Sequence, residues 1–410
     1  MRQNVILSGG SVVRAGTTRP EPLDILIDGG GRIAALEKDI ADETARVVAL
    51  DGRLVVPGLV DIHQHLDKSR TRSAVTNPSG TLGGASAGYA AFAASVKRED
   101  IVARADRTLA ACAERGTVAI RSHTNVDPET GLRGVEAMLE VRERWRDRMT
   151  LQIVAHVTSG LTRRLADAEA YLKGAIAAGV DAIGGVPAYS DQPLAFLDLV
   201  FRLAGTSGLP IDLHIDEHLD PANVQFDALI ERTRAHGMQG RVVAGHCSAL
   251  SALPIDEALR IADGFAAAGI GVATLPAANL FLQGREAAAL PPRGLTRVRE
   301  LLDRGVPVAA GSDNIQDPFV PTGTGDLLEI ARWTLLAGHL GLSDLRRAFD
   351  MVSTVPAALM GLQSDWGIDV GARADLLIAP AADIDDLVAS GPLQRIVLVG
   401  GRDVSGNGFL

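Results

Sequence analysis

The chain predicts an α/β fold: a (β/α)8 TIM barrel with a small β-sandwich domain formed by both termini. Three observations carry this expectation. Eight short apolar runs alternate with long amphipathic stretches through the middle of the chain; Gly-punctuated, strand-like segments stand at both ends; and six of the nine histidines fall where apolar runs stop. Strands that alternate with helices build parallel sheets, and eight such units close a barrel.

Residues 1–57 read as short strands, "NVILSGGSVV", "LDILIDGGGRIAAL" and "ARVVALDGRLVVPG", with Gly and Asp-Gly at the turns. They form the first part of the sandwich. Residues 363–410 repeat that texture in "GIDVGARADLLIAP" and "PLQRIVLVGGRDV" and form the second part. Residues 58–362 form the barrel. Its expected strands are "LVDIHQH", "VAIRSHTNV", "LQIVAHV", "VDAIGGVP", "PIDLHID", "RVVAGHC", "IGVATLP" and "VPVAAGSDN". Helices are expected at Arg98–Gly116, Val135–Met149, "DALIERTRAHG" and Leu295–Gly305, several of them closed by a C-terminal Gly. The Gly-, Ser- and Ala-rich stretch between Leu66 and Ser95 follows the first barrel strand and is expected to be a loop, either a mobile lid or a plain connection.

Composition narrows the function. With 47% hydrophobic and 22% charged residues the chain is an ordinary globular protein. A net charge of −10 argues against nonspecific nucleic-acid binding, which needs a basic surface. Cys112 and Cys247, far apart, make no disulfide framework and fit a reducing cytoplasm. The opening "MRQNVILSGG" lacks the apolar run of a signal peptide and no 18-residue apolar segment follows, so no membrane role and a cytoplasmic location are expected.

Active sites of such barrels lie at the C-terminal strand ends. His63 and His65 end the first strand, His123 the second, His156 the third, His214 the fifth, His246 the sixth, and Asp313 the eighth. Residues i and i+2 of a strand share a face, so His63 and His65 can offer ring nitrogens to one ion. Taken alone, that pair reads equally as hydrogen-bonded core histidines. With His214 and Asp313 at the same mouth, three imidazoles and a carboxylate leave an open position for water, a catalytic arrangement for Zn²⁺ or Fe²⁺. His236 and His339 fall in helical stretches and read as surface or packing residues. Of the basic run Lys68, Arg70 and Arg72, the two arginines read as solvated, and Lys68 is a candidate for holding a substrate carbonyl or carboxylate. Cys247 reads as a small buried residue.

"LHIDEH" (Leu213–His218) contains His-x-x-Glu-His, which on a helix would be an inverzincin-like peptidase site. Pro210 and the alternating apolar residues before it, and "LDP" after it, favour a strand and then a loop. That reading assigns His214 to the metal and moves His218 to the pocket or its support. The cytidine-deaminase fold is excluded because its Pro-Cys-x-x-Cys run is missing.

The motifs "PGLVDIHQHLDKS", "NPSGTL", "LQIVA", "DLHIDEH", "GHCSA", "NLFLQGR", "RGLTRVRELL" and "GSDNIQDPFVPTGTG" span nearly the whole chain. On them the sequence resembles the metal-dependent amidohydrolase superfamily, and within it the cytosine deaminase group. The resemblance implies metal ligands at His63, His65, His214 and Asp313, a proton shuttle at Glu217, and contact of His246 with the activated water; it also implies a homo-oligomer. Binuclear barrels of this kind use a bridging carboxylated lysine on strand 4, where this chain has "IGGVPAYS", so one divalent metal ion per chain (Zn²⁺ or Fe²⁺) is expected. Departures from the group bear on the substrate. Thr158, with His156 beside it, replaces a substrate-binding Gln; Phe319 replaces a Trp; Asn314 replaces a second Asp. "HLDKS" and "SDNIQDPFVP" are also similar to the N-isopropylammelide amidohydrolases. Thr158, His156, Lys68, Asn314 and Phe319 are therefore the expected substrate contacts, and cytosine itself is disfavoured because a site built around a hydrogen bond discriminates strongly on it. The expected partner is a small-molecule heterocyclic substrate, deaminated by a metal-activated water with Asp313, Glu217 and His246 as catalytic groups. Alternatives are removal of an N-alkylamino group, opening of a cyclic amide, and a metal-binding barrel without catalysis.

Overall fold

The structure is a computed structural model that describes residues 2–14, 17, 19–290, 292–406 and 408–409. The N-terminal strands are β1 (Val5–Val12), β2 (Glu21–Ile27), β3 (Ile33–Glu37), β4 (Arg46–Ala49) and β5 (Leu54–Pro57). Eight barrel strands follow: β6 (Leu59–Gln64), β7 (Thr117–Val126), β8 (Thr150–Val157), β9 (Ala182–Gly185), β10 (Ile211–Ile215), β11 (Val242–His246), β12 (Ile270–Thr274) and β13 (Val308–Ala310). The chain ends with β14 (Leu376–Ala379), β15 (Ile396–Val399) and β16 (Arg402–Asp403).

The two chain ends meet in one sheet of order β16-β15-β14-β5-β1-β2-β3, with β4 on β1. The join is the antiparallel pairing of β14 with β5, which sets Leu376 opposite Pro57 and Ala379 opposite Leu54. This sheet keeps its own core, in which Leu7, Val12, Ile25, Ile33, Val55, Leu376 and Leu398 pack together apart from the barrel.

The barrel strands run in parallel in chain order from β6 to β13. They are buried on both faces, which is why they read as nearly continuous apolar runs. Val60, Ile62, Ala119, Val243, Ala273 and Ala309 fill the interior with Ala357 and Met360. The ring closes through a bridge between Gln64 and Asp313, where the Asp313 amide donates to the His63 carbonyl at 2.8 Å. Closure and the expected metal ligands thus occupy the same few residues.

Helix α1 (Leu82–Ala93) lies within the stretch expected to be a loop. Alanine, the strongest helix former, outweighs the glycines there. Thr81 caps the helix, its side chain accepting from the Gly84 amide at 3.2 Å, and Ala85, Tyr89 and Ala93 bury one face at four-residue spacing. Helix α2 (Arg98–Glu114) falls inside its expected span, with Glu99 and Asp100 in the first turn, where negative charge favours the helix dipole. The helix expected at Leu295–Gly305 is shorter, Val298–Asp303, and a helix not foreseen, Ile384–Ser390, separates β14 from β15. Among the described residues no helix is long and apolar enough to cross a membrane.

Candidate active site

The barrel mouth gathers six imidazoles and three carboxyl groups. His65 Nε2 stands 3.2 Å from His214 Nε2 and 3.3 Å from Asp313 Oδ1, while His63 Nε2 lies 3.7 Å from the same oxygen. His65 Nδ1 is 2.9 Å from the His123 carbonyl, which can only accept. That bond puts the ring proton on Nδ1 and leaves the Nε2 lone pair facing the cluster, the usual support for a ligating histidine. Both His63 nitrogens, His214 Nδ1 and both Asp313 oxygens are buried without a hydrogen-bond partner. Buried polar atoms are normally satisfied, so this concentration of orphans marks a place where something else belongs.

Burial holds all four of His63, His65, His123 and His214 well below the usual histidine range, so the rings are neutral and can ligate. Candidate ligand atoms converge in two overlapping groups, His63–His246–Asp313 and His63–His123–His214. A set of neutral imidazoles with one carboxylate fits a divalent ion. His123 stacks on His63 with ring centroids 3.7 Å apart, and Asp212 Oδ1 lies 3.5 Å from its Nε2, so it braces the His63 ring from behind.

The chain turns sharply at these strand ends. Asp216, His246, Cys247 and Asp313 have φ of 48°, 65°, 50° and 57°. Non-glycine residues in this left-handed region cost energy and persist where the surroundings over-determine them, often at functional sites.

His214 closes β10, and Glu217 and His218 lie in the loop beyond. The helical His-x-x-Glu-His reading, and with it the inverzincin-like peptidase, is overturned. His218 Nδ1 instead accepts from the Asp220 amide at 3.2 Å. Glu217 is buried and its Oε1 is 3.5 Å from His246 Nδ1; His246 Nε2 is 3.9 Å from Asp313 Oδ2. Burial first, then the charge of Asp313, raises the Glu217 carboxyl well above the usual carboxylate range, with Lys68 opposing. Burial pushes His246 down to about 4.

A cavity of about 270 Å³ opens onto this cluster. Each of the expected substrate contacts, Lys68, His156, Thr158, Asn314 and Phe319, lines it. Asn314 Nδ2 donates to Asp317 Oδ2 at 2.6 Å, and Asp317 also accepts from the Phe319 and Val320 amides, so one buried carboxylate fixes both residues of that wall. Arg70 bonds to Thr108 on α2 and Arg72 is exposed; neither lines the cavity. His236 and His339 are exposed, and Cys247 is buried.

Several wall residues had escaped the sequence reading. Asn125 follows His123 by two positions on β7, and strand alternation alone could have found it. Tyr89 and Leu82 reach the cavity from α1, and Tyr189 from a short turn of helix after β9. Nothing in their local sequence marks them. Asn279, whose Nδ2 lies 3.1 Å from His246 Nδ1, was also missed.

Comparison with known proteins places these features in context. A family model described as the amidohydrolase family matches residues 46–404. The chain is 34% identical over 363 residues to pterin deaminase of Rhizobium rhizogenes, covering 88% of this chain and 82% of that one. It is 29% identical over 364 residues to N-isopropylammelide isopropyl amidohydrolase of a Pseudomonas species, covering 85% of each chain. Among solved structures it is similar to 5-methylcytosine deaminase of Klebsiella pneumoniae liganded with 5-fluorocytosine, with a TM-score of 0.87 and 28% identity over 98% of this chain and 96% of that one.

Proposed function

We propose that this chain, which belongs to the amidohydrolase family, is a metal-dependent hydrolytic deaminase of a small amino-substituted N-heterocycle. The family and its relatives act on carbon–nitrogen bonds other than peptide bonds. The observation that carries the finer reading is the juxtaposition of Glu217, His246 and Asp313: a buried carboxyl raised above its usual range lies 3.5 Å from an imidazole that is itself 3.9 Å from Asp313, all lining one cavity.

His63, His65, His214 and Asp313 would hold one divalent ion, Zn²⁺ or Fe²⁺. When bound, such an ion acidifies a water and supplies the nucleophile near neutral pH. Asp313 takes the proton that the water gives up. Glu217, whose carboxyl burial raises above its usual range, donates to the ring nitrogen beside the carbon under attack, which relieves the charge that would build there. His246 faces the oxygen of the tetrahedral centre and stabilises it. Asp313 would pass the proton it took to the amino group, so that the C–N bond breaks and ammonia leaves, and the proton lost by the new hydroxyl group would restore Glu217. The similarity to the N-isopropylammelide enzyme supports a second reading, in which the same attack expels an alkylamine.

An ammonia-release screen of metal-loaded protein over cytosine, 5-methylcytosine, isocytosine, pterin and ammelide derivatives tests this. Release from at least one ring is expected, with about one metal ion per chain. Glu217→Gln should keep its metal and lose roughly 10²–10⁴ in rate, the usual worth of a positioned acid. Alkylamine without ammonia would favour the second reading, and no release from any ring would overturn the proposal.

A further inference from the structure

We infer that Lys68 is a specificity-determining residue and that the ring entering this cavity carries an anionic oxygen, which the Lys68 ammonium receives. The inference rests on the heterocycle reading above and narrows it.

Lys68 is 4% exposed, yet it lines the cavity. A lysine is almost never buried to this degree unless paired, because an ammonium out of water needs a compensating partner. Among the described residues no carboxylate lies within ion-pair reach of Nζ. Its nearest partners are two aromatic faces, Phe319 with its centroid 5.1 Å away and Tyr89 at 5.8 Å. Ring faces attract the ammonium but supply no hydrogen-bond acceptor for its three N–H donors.

Three carboxyl groups feel the lysine from further off, Asp67, Glu217 and Asp317. Asp67 accepts from the Asn125 amide, and Asp317 is engaged by Asn314, Phe319 and Val320. Glu217 makes no ion pair with Lys68 and stands beside His246, 3.5 Å from its Nδ1. Each of these carboxyl groups is thus set apart from the lysine, and no side chain closes on its ammonium. On the other side, Lys68 acts on His65 and His156, disfavouring their protonation, and His156 Nδ1 is itself buried and unpartnered. A cation aimed into a cavity, gripped by two rings and lacking an anion, is completed by an anion on the ligand. That oxygen belongs either to a carboxylate substituent or to an ionisable ring oxo group.

Three rings separate these sources: 2-aminopyrimidine, isocytosine, and isocytosine bearing a ring carboxylate. Turnover and equilibrium binding are measured on the metal-loaded wild type, Lys68→Met and Lys68→Arg. Methionine conserves volume, and Lys68→Arg restores the charge should methionine perturb folding. Lys68→Met is expected to weaken the oxygen-bearing rings by about 10–100-fold in KM and dissociation constant, the worth of a charged hydrogen bond, with kcat nearly unchanged. Binding of 2-aminopyrimidine should not change, and Lys68→Arg should recover part of the loss. A loss confined to the carboxylate ring assigns the oxygen to a carboxylate; a loss shared with isocytosine assigns it to the ring oxo group. Equal weakening of all three rings, no weakening, or no binding of any ring by the wild type overturns the inference. Lys68-dependent binding without ammonia release would remove the deaminase reading alone. Ammonia release that ignores Lys68 would remove this inference alone.

Discussion

Strands β6 and β10 each place an aspartate two residues before a metal-site histidine, Asp61 before His63 and Asp212 before His214. On β10 the alternation is regular. Its residues pair one for one with β11, from Ile211–Val242 to Ile215–His246. Ile211, Leu213 and Ile215 face the outer core, so Asp212 and His214 both point inward. There Asp212 Oδ2 accepts from Arg121 Nη1 at 2.8 Å, across the barrel interior. On β6 the register against β7 slips between Asp61 and Gln64. Val60 and Ile62 take the interior positions, and Asp61 bonds Ser312 and Gln64, whose Nε2 is 3.8 Å from Cys112 on α2. Past the slip His63 still turns inward onto His123. Such an irregularity re-aims side chains where plain alternation would not. Identical spacing therefore yields a carboxylate beneath the site on one strand and a carboxylate behind it on the other. What separates both from the expected ligand Asp313 is partnership: Asp61 and Asp212 Oδ2 hold protein donors, while both oxygens of Asp313 hold none.

The largest effect should come from the top of β10. His214→Ala removes a ligand and should abolish bound metal, measured by elemental analysis, and lower activity beyond the roughly 10–100-fold typical of losing an outer partner. His218→Ala should retain its metal. Equal metal loss from both variants would restore the helical reading of Leu213–His218 and undo the inward assignment on β10.

One step down the same face, Asp212→Asn should act on stability. Arg121 is nearly fully buried, and neutralising its partner leaves an uncompensated charge. Breaking such a pair costs about 3–5 kcal/mol, whereas Arg121→Met with Asp212→Leu together should cost much less. Urea unfolding of the metal-free protein measures both. A cost for Asp212→Asn below that of the double variant would mean that the pair does not hold the barrel interior together.

The clustering of the expected ligands at one barrel mouth was legible in the sequence because strand-end position and residue type suffice for it. His63, His65, His214 and Asp313 come from short buried strands whose order dictates who meets whom. The terminal sheet was legible for the same reason, as alternating apolar residues between turn residues. The outer wall of the cavity was not. Tyr89 and Leu82 depend on α1, whose Gly and Ser content masks an Ala-rich, Thr-capped helix. Tyr189 depends on a loop conformation that no periodicity encodes. The slip in β6 was hidden because it leaves the apolar pattern of the strand intact.

The smallest of these effects tests that slip directly. Asp61 accepts from the amides of His63 and Ser312, from Gln64 Nε2 and from the Ser312 hydroxyl. Asn in its place offers one oxygen and sets an NH₂ group against donors, so at least one bond becomes a donor–donor clash. The expected cost is about 1–3 kcal/mol of stability, less than for Asp212→Asn because no buried cation is stranded. Ser312 precedes Asp313 at the seam that closes the barrel, so the disturbance reaches the site only through the backbone. At saturating zinc, Asp61→Asn should therefore bind close to the wild-type amount of metal while unfolding at lower urea. Metal loss at unchanged stability would place Asp61 among the ligands and erase the difference between the two strands.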